Sequence, residues 1–149
     1  MTEAKTIEFE SAEGFPIAAD IYGDPSNDPI LFMHGGGQTR HAWGGAAAAL
    51  AKRGWYTISM DHRGHGDSCW SPSASYELDD FTADFHAVQK QIGRKAVVCG
   101  ASLGGRTALM ALGEGSQDLT TALILVDIAP KTEAAGVARI QQYMRANLD

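Results

Sequence analysis

The stretch Lys95-Ala96-Val97-Val98-Cys99-Gly100-Ala101-Ser102-Leu103-Gly104-Gly105, continuing into Thr107-Ala108-Leu109-Met110-Ala111-Leu112, decides how the chain folds. An apolar, strand-like run at 95–99 meets a helix-like run at 107–112 through the pattern G-x-S-x-G, which marks a sharp strand-to-helix turn carrying a raised serine. Glycines stand on both sides of Ser102 because a Cβ there would collide across so tight a turn, while the serine backbone is held in a strained conformation. The turn lifts the Ser102 hydroxyl off the sheet, and the helix terminus behind it offers partial positive charge to a developing anion. The plainer reading is a serine that caps the helix beginning at Leu103.

Working outward, residues 30–33 form a short, wholly apolar run, the mark of a strand buried on both faces of a parallel sheet. It ends at His34-Gly35-Gly36-Gly37. Residues 42–53 are alanine-rich and stop at Gly54, predicting a helix with a glycine cap, and 55–60 is the next strand. A turn-rich loop covers 61–72. Leu78, Phe81, Phe85, Val88 and Ile92 then recur at helical spacing, and Gly93 closes that helix. Residues 122–126 are another all-apolar strand, and Val137, Ile140, Met144 and Leu148 make a last amphipathic stripe. At the amino terminus, 6–10 and 17–22 alternate around Glu13-Gly14 as a hairpin. Strands alternating with helices after a leading hairpin predict an α/β fold, a doubly wound and mostly parallel sheet whose site lies at the carboxyl ends of the strands. His34, Asp61, Ser102 and Asp127 each follow such an end.

Composition narrows the function. The 149 residues, 44% hydrophobic, form one globular domain able to bury about 70% of the surface of the unfolded chain. A net charge of -6 without basic clusters argues against nucleic acid and anionic membranes and favours a neutral or weakly charged small molecule. The first residues lack an apolar signal core and no stretch approaches the roughly 18 apolar residues of a membrane span, so a cytoplasmic protein is expected. Cys69 and Cys99 stand in unlike contexts, predicting free thiols and no metal site.

Four motifs carry a resemblance to the α/β-hydrolase family: His34-Gly35-Gly36-Gly37, Asp61-His62-Arg63-Gly64-His65-Gly66-Asp67-Ser68, Gly100-Ala101-Ser102-Leu103-Gly104-Gly105 and Asp127-Ile128-Ala129-Pro130. They occur in the family's order across nearly the whole sequence. A serine at position 102, where epoxide- and halide-processing members carry aspartate, resembles the acyl-transfer branch, the serine esterases. The resemblance implies that Ser102 is the nucleophile, that Gly36 and Leu103 N–H groups form the oxyanion hole, and that no metal or organic cofactor is needed. It further implies that Asp61 to Ser68 is a structural turn, with Arg63 and Asp67 satisfying loop backbone and each other. Asp127 reads either as the catalytic acid, as in members with a similar stretch, or as an aspartate that caps its loop.

All five histidines, His34, His41, His62, His65 and His86, precede Ser102, whereas such sites run in the chain order serine, acid, histidine. The sequence thus shows a nucleophile without an obvious proton acceptor. His34 reads as a loop organiser rather than a base, and His41 belongs to the same loop region, within reach of the pocket; His62 and His65 are weak candidates that can approach the serine in space, although the resembled family uses neither as base, and His86, off the apolar stripe, reads as a solvated helix residue. The runs above make six strands where the family fold has eight, so residues 1–130 read as a hydrolase core lacking its last two strands, and 131–149 as a helix resembling the start of a cap. Residues 122–126 then make an apolar sheet edge. Three accounts stand side by side: an amino-terminal fragment, a chain completed by a copy or another polypeptide at that edge, and a short non-catalytic relative. On the first, the isolated chain is expected to be nearly inactive on carboxylic esters or related acyl substrates. The rival function is a binding or self-assembling module.

Overall fold

The computed structural model describes residues 3–113, 116–128 and 134–146. Strands β1 (Lys5–Glu10), β2 (Pro16–Tyr22), β3 (Pro29–Met33), β4 (Tyr56–Met60), β5 (Ala96–Ala101) and β6 (Thr120–Val126) form one sheet in the order β1-β2-β4-β3-β5-β6. Among the described residues four α-helices accompany them: α1 (Gly44–Ala51), α2 (Leu78–Ile92), α3 (Leu103–Gly113) and α4 (Ala134–Ala146). The hairpin β1–β2 is antiparallel and joins β4 antiparallel, while β4, β3, β5 and β6 run parallel. From β3 the chain crosses by α1 to β4 on one side and then by α2 to β5 on the other. The order reverses between β3 and β5, where α/β sheets place their ligand crevices.

Alternation along β3 shows why the sheet is covered on both faces. Leu31 and Met33 point into a core with Ile58, Met60, Phe85, Val88 and Val98, while Ile30 and Phe32 pack with Ala47 of α1 and with Cys99. Phe32 stacks on Trp43 at 5.0 Å between ring centroids. Each fully buried side chain of this kind contributes roughly 1.5–3 kcal/mol relative to exposure. α2 begins at a reciprocal capping box between Glu77 and Asp80 and ends at Gly93, whose φ of 75° satisfies the left-handed cap.

One element differs from expectation. The helix expected over 42–53 opens as a 3-10 turn, Arg40–Trp43, and its α-helical part ends at Ala51. The cause lies in Arg40, whose backbone N–H and guanidinium are both bonded to Asp61 and pull the helix start onto the sheet. The apolar β6 is the strand expected at the sheet edge, and it is not buried on both faces: Ile124 is 48% and Val126 39% exposed. Cys69 and Cys99 are free thiols. Ala129-Pro130 of the fourth motif and residues 131–133 and 147–149 of the expected terminal helix lie outside the described residues.

Candidate active site

Between the last residue of β5, Ala101, and the first of α3, Leu103, the turn is made by Ser102 alone, at φ +43°. A non-glycine residue in this region costs about 1–3 kcal/mol and persists only where its surroundings fix it. Here Ser102 N–H donates to Val126 O at 3.2 Å, Arg106 N–H donates to Ser102 O at 2.9 Å, and Gly104 N–H donates to His34 O at 3.2 Å. The glycine spacing has a direct steric cause. A Cβ on Gly100 would stand 2.6 Å from backbone atoms of Gly104 and Gly105, and one on Gly104 would stand 2.5 Å from Met33 O. Ser102 is exposed, and among the described residues nothing bonds to its hydroxyl. The side chain sits above the sheet, outside the packed interior.

The loop after β3 runs beside it. A Cβ on Gly35 would lie 3.5 Å from the Ser102 Cβ. Gly35 N–H donates to Gln38 Oε1 at 3.0 Å, and Gly35 O accepts from Gln38 N–H at 3.1 Å and from His34 Nδ1–H at 2.7 Å. Gly37 N–H donates to His65 Nε2 at 3.1 Å. Among the described residues the N–H of Gly36 has no acceptor, and neither has that of Leu103. Two unclaimed backbone donors therefore lie on the two segments that meet at Ser102, each between neighbours whose own donors are taken.

The histidines named from the sequence are held elsewhere. His34 is fully buried; it donates through Nδ1 and accepts His62 N–H at Nε2, 3.1 Å away, so it is the neutral Nδ1–H tautomer. His62 Nε2–H donates to His34 O at 3.1 Å. Burial pushes the pKa of His34 down and that of His62 far down, and the neighbouring imidazoles add to both shifts. His65 donates from Nδ1 to Arg63 O at 3.0 Å while accepting from Gly37. His41, with 64% of its side chain exposed, lies 3.5 Å from Asp20. His86 is half-buried rather than solvated: it packs edge-on to Phe85 and lines a cleft with Asp118 and Leu119, near the start of β6 and away from the carboxyl ends of the strands.

Beneath these loops are two buried arginines. Arg63 and Asp67, expected to meet, do not. Arg63 is bidentate to Asp84 of α2 at 2.7 and 2.8 Å and reaches Glu13 at 2.7 Å, while Asp67 binds Arg40 at 2.8 Å. Arg40 also contacts Asp20 at 3.0 Å and Asp61 at 2.5 Å, and Asp61 takes the N–H groups of Arg40 and Asp67. Burial opposes the charge of each guanidinium, but the carboxylates outweigh it and raise both pKa values. The sequence reading missed Arg40, Asp20 and Asp84, which have no motif around them; the only signal is a charged residue set on an otherwise apolar strand or helix face.

Asp127 follows β6 directly. The register Ala101↔Val126 sets Ser102 and Asp127 each one residue past the ends of neighbouring parallel strands. Asp127 is exposed at φ +51°, and among the described residues nothing donates to its carboxylate. Likewise among the described residues, no three His, Cys, Asp or Glu side chains converge as a metal site and no helix is long and apolar enough to cross a membrane.

The family model described as alpha/beta hydrolase fold matches residues 28–148. The chain belongs to the α/β-hydrolase family. Among curated relatives, it is 36% identical over 110 residues to an sn-1-specific diacylglycerol lipase of Mus musculus, covering 72% of this chain and 35% of that protein. It is 33% identical over 124 residues to an esterase of Mycobacterium tuberculosis, covering 83% and 40% respectively. A putative non-heme chloroperoxidase of Synechocystis is 30% identical over 115 residues, 74% of this chain and 41% of that one. A solved α/β-hydrolase of Novosphingobium aromaticivorans superposes with a TM-score of 0.85 at 26% identity, over 97% of this chain and 51% of that chain. The chain thus spans about a third to two-fifths of the length of the curated relatives it matches. Family members similar to it are named esterases, lipases and haloperoxidases.

Proposed function

We propose that the protein is a serine hydrolase of carboxylic esters or related acyl substrates. One observation carries the reading: an exposed serine at a left-handed turn, with two unclaimed backbone N–H groups on the segments that meet at it. Ser102 Oγ attacks the acyl carbon, and the carbonyl oxygen takes the displaced electron pair. Gly36 and Leu103 N–H groups bind the resulting anion. In comparable sites one such donor is worth about 2.7–4 kcal/mol. The proton of Ser102 passes to a histidine and from it to the leaving alcohol; water then repeats the sequence on the acyl-serine. Asp127 orients that histidine from the neighbouring strand end. His34 and His65 each have both ring nitrogens committed, His62 is buried with its Nε2–H on His34 O, His41 faces Asp20, and His86 lies by Asp118 and Leu119 away from the strand ends, so we place the base outside these five histidines. The named activities of the esterase and lipase relatives favour an ester; the chemistry asks for no metal or organic cofactor.

The test is hydrolysis of a short-chain aryl ester by the full-length protein. Ser102→Ala abolishes turnover, and Asp127→Asn lowers it by roughly 10⁴-fold if Asp127 sets the histidine tautomer. An Asp127→Asn protein with intact turnover and a lowered melting temperature returns that residue to loop capping. A second reading, a non-catalytic module that self-associates along β6, is favoured by the exposure of Ile124 and Val126 on that edge strand. It requires a stable dimer by size-exclusion mass together with a Ser102 unreactive to fluorophosphonate.

A further inference from the structure

The 34–38 loop has one feature that the proposed chemistry does not use: the partner of Gly37. Within the loop Gly35 N–H is held by Gln38, and Gly37 N–H is held by His65 from the turn after β4, so Gly36 alone presents its donor. Gly37 has a φ of +74° and no side chain to anchor it. His65 is itself fixed by its Nδ1–H bond to Arg63 O, whose guanidinium is clamped on Asp84. A connected path thus runs from a buried ion pair to the residue next to the unclaimed donor.

We propose that His65 is a positioning residue for Gly36, holding the loop through the Gly37 N–H that its Nε2 accepts. This rests on the reading of Gly36 N–H as an oxyanion donor. Without an acceptor at position 65 the Gly37 N–H loses its partner, and the loop stays tied to the turn after β4 through His34 and His62, at its other end. The titratable groups facing His65 are His34 and His62, with ring centroids at 5.1 and 6.2 Å. Asp61 stands 3.8 Å behind His34, Asp67 of the same turn is drawn onto Arg40, and from α4 Met144 approaches Gly37. Loss of the clamp therefore turns the donor away from Ser102 and weakens the transition state more than substrate binding.

The experiment compares His65→Leu, which removes the acceptor, with His65→Gln, whose Oε1 accepts in its place. With an aryl ester, His65→Leu is expected to lower kcat by roughly 10- to 100-fold with little change in KM, approaching the loss of one oxyanion donor. His65→Gln recovers most of that loss. Unchanged kcat in a folded His65→Leu, or a His65→Gln as impaired as His65→Leu, overturns the inference. If His65→Leu does not fold, His65→Ala, which also removes the acceptor, is compared with His65→Gln in its place. An unmodified protein neither active nor labelled at Ser102 overturns instead the hydrolase reading beneath it.

Discussion

Replacing Gly100 with alanine is the sharpest structural test of the serine turn. The added Cβ would meet Gly104 C, Gly104 O and Gly105 N, each at 2.6 Å. All three are backbone atoms of the first turn of α3, so no side chain can rotate away. Reaching an ordinary contact of 3.4 Å requires 3.4 − 2.6 = 0.8 Å of separation between β5 and α3. Forcing a methyl into a packed interior costs typically 1–3 kcal/mol, and the upper end applies where only backbone can move. For a chain of 149 residues, 3 kcal/mol corresponds to about 6–12 °C in melting temperature. A shift approaching 1 Å at the nucleophile also lowers reactivity on the order of 10²-fold. The control is Gly45→Ala in α1, where nothing lies within 4 Å of the added methyl and the helix gains about 0.5–1 kcal/mol. Thermal unfolding by circular dichroism and the rate of fluorophosphonate labelling are the assays. A Gly100→Ala protein that melts with the unmodified one and labels at the same rate refutes the steric account of the turn.

Arg40→Met leaves Asp61 buried with backbone donors alone, and urea unfolding is expected to show a loss of about 3–5 kcal/mol; adding Asp61→Asn to it restores part of that loss, whereas strictly additive effects contradict the proposed charge cluster. Acidification destabilises the fold through His34 and His62. Their folded pKa values lie below the unfolded one of about 6.5, so the unfolded chain binds the extra protons and stability falls as pH drops from about 6.5 through the folded values. Urea midpoints measured at pH 7.5 and 5 in the His62→Asn and unmodified proteins check this, since a pH dependence unaltered by the substitution removes His62 as a source.

Much of the architecture was legible because it rests on local patterning. The continuous apolar run of β3 and the 3.6-residue stripe of α2 each announce their element, and the glycines around Ser102 announce the turn that joins β5 to α3. The contacts of Arg63 were not legible, since its partners Glu13 and Asp84 lie 50 and 21 residues away and only the fold brings them together. The same holds for Arg40, which links β2, the end of β4 and the following turn. The exposed apolar edge formed by β6 was also legible, as the last strand-like run of the sequence. At the site, the serine and the glycine loop were readable from motif and spacing. That Gly36 is the loop donor left unclaimed depended on where Gln38 and His65 place their acceptors.

The most direct measurement is covalent labelling of the full-length protein with a fluorophosphonate, followed by peptide mass spectrometry. The account predicts a single adduct on Ser102 that disappears in Ser102→Ala together with ester hydrolysis. An adduct on a different residue, or ester hydrolysis that persists with alanine at position 102, contradicts it.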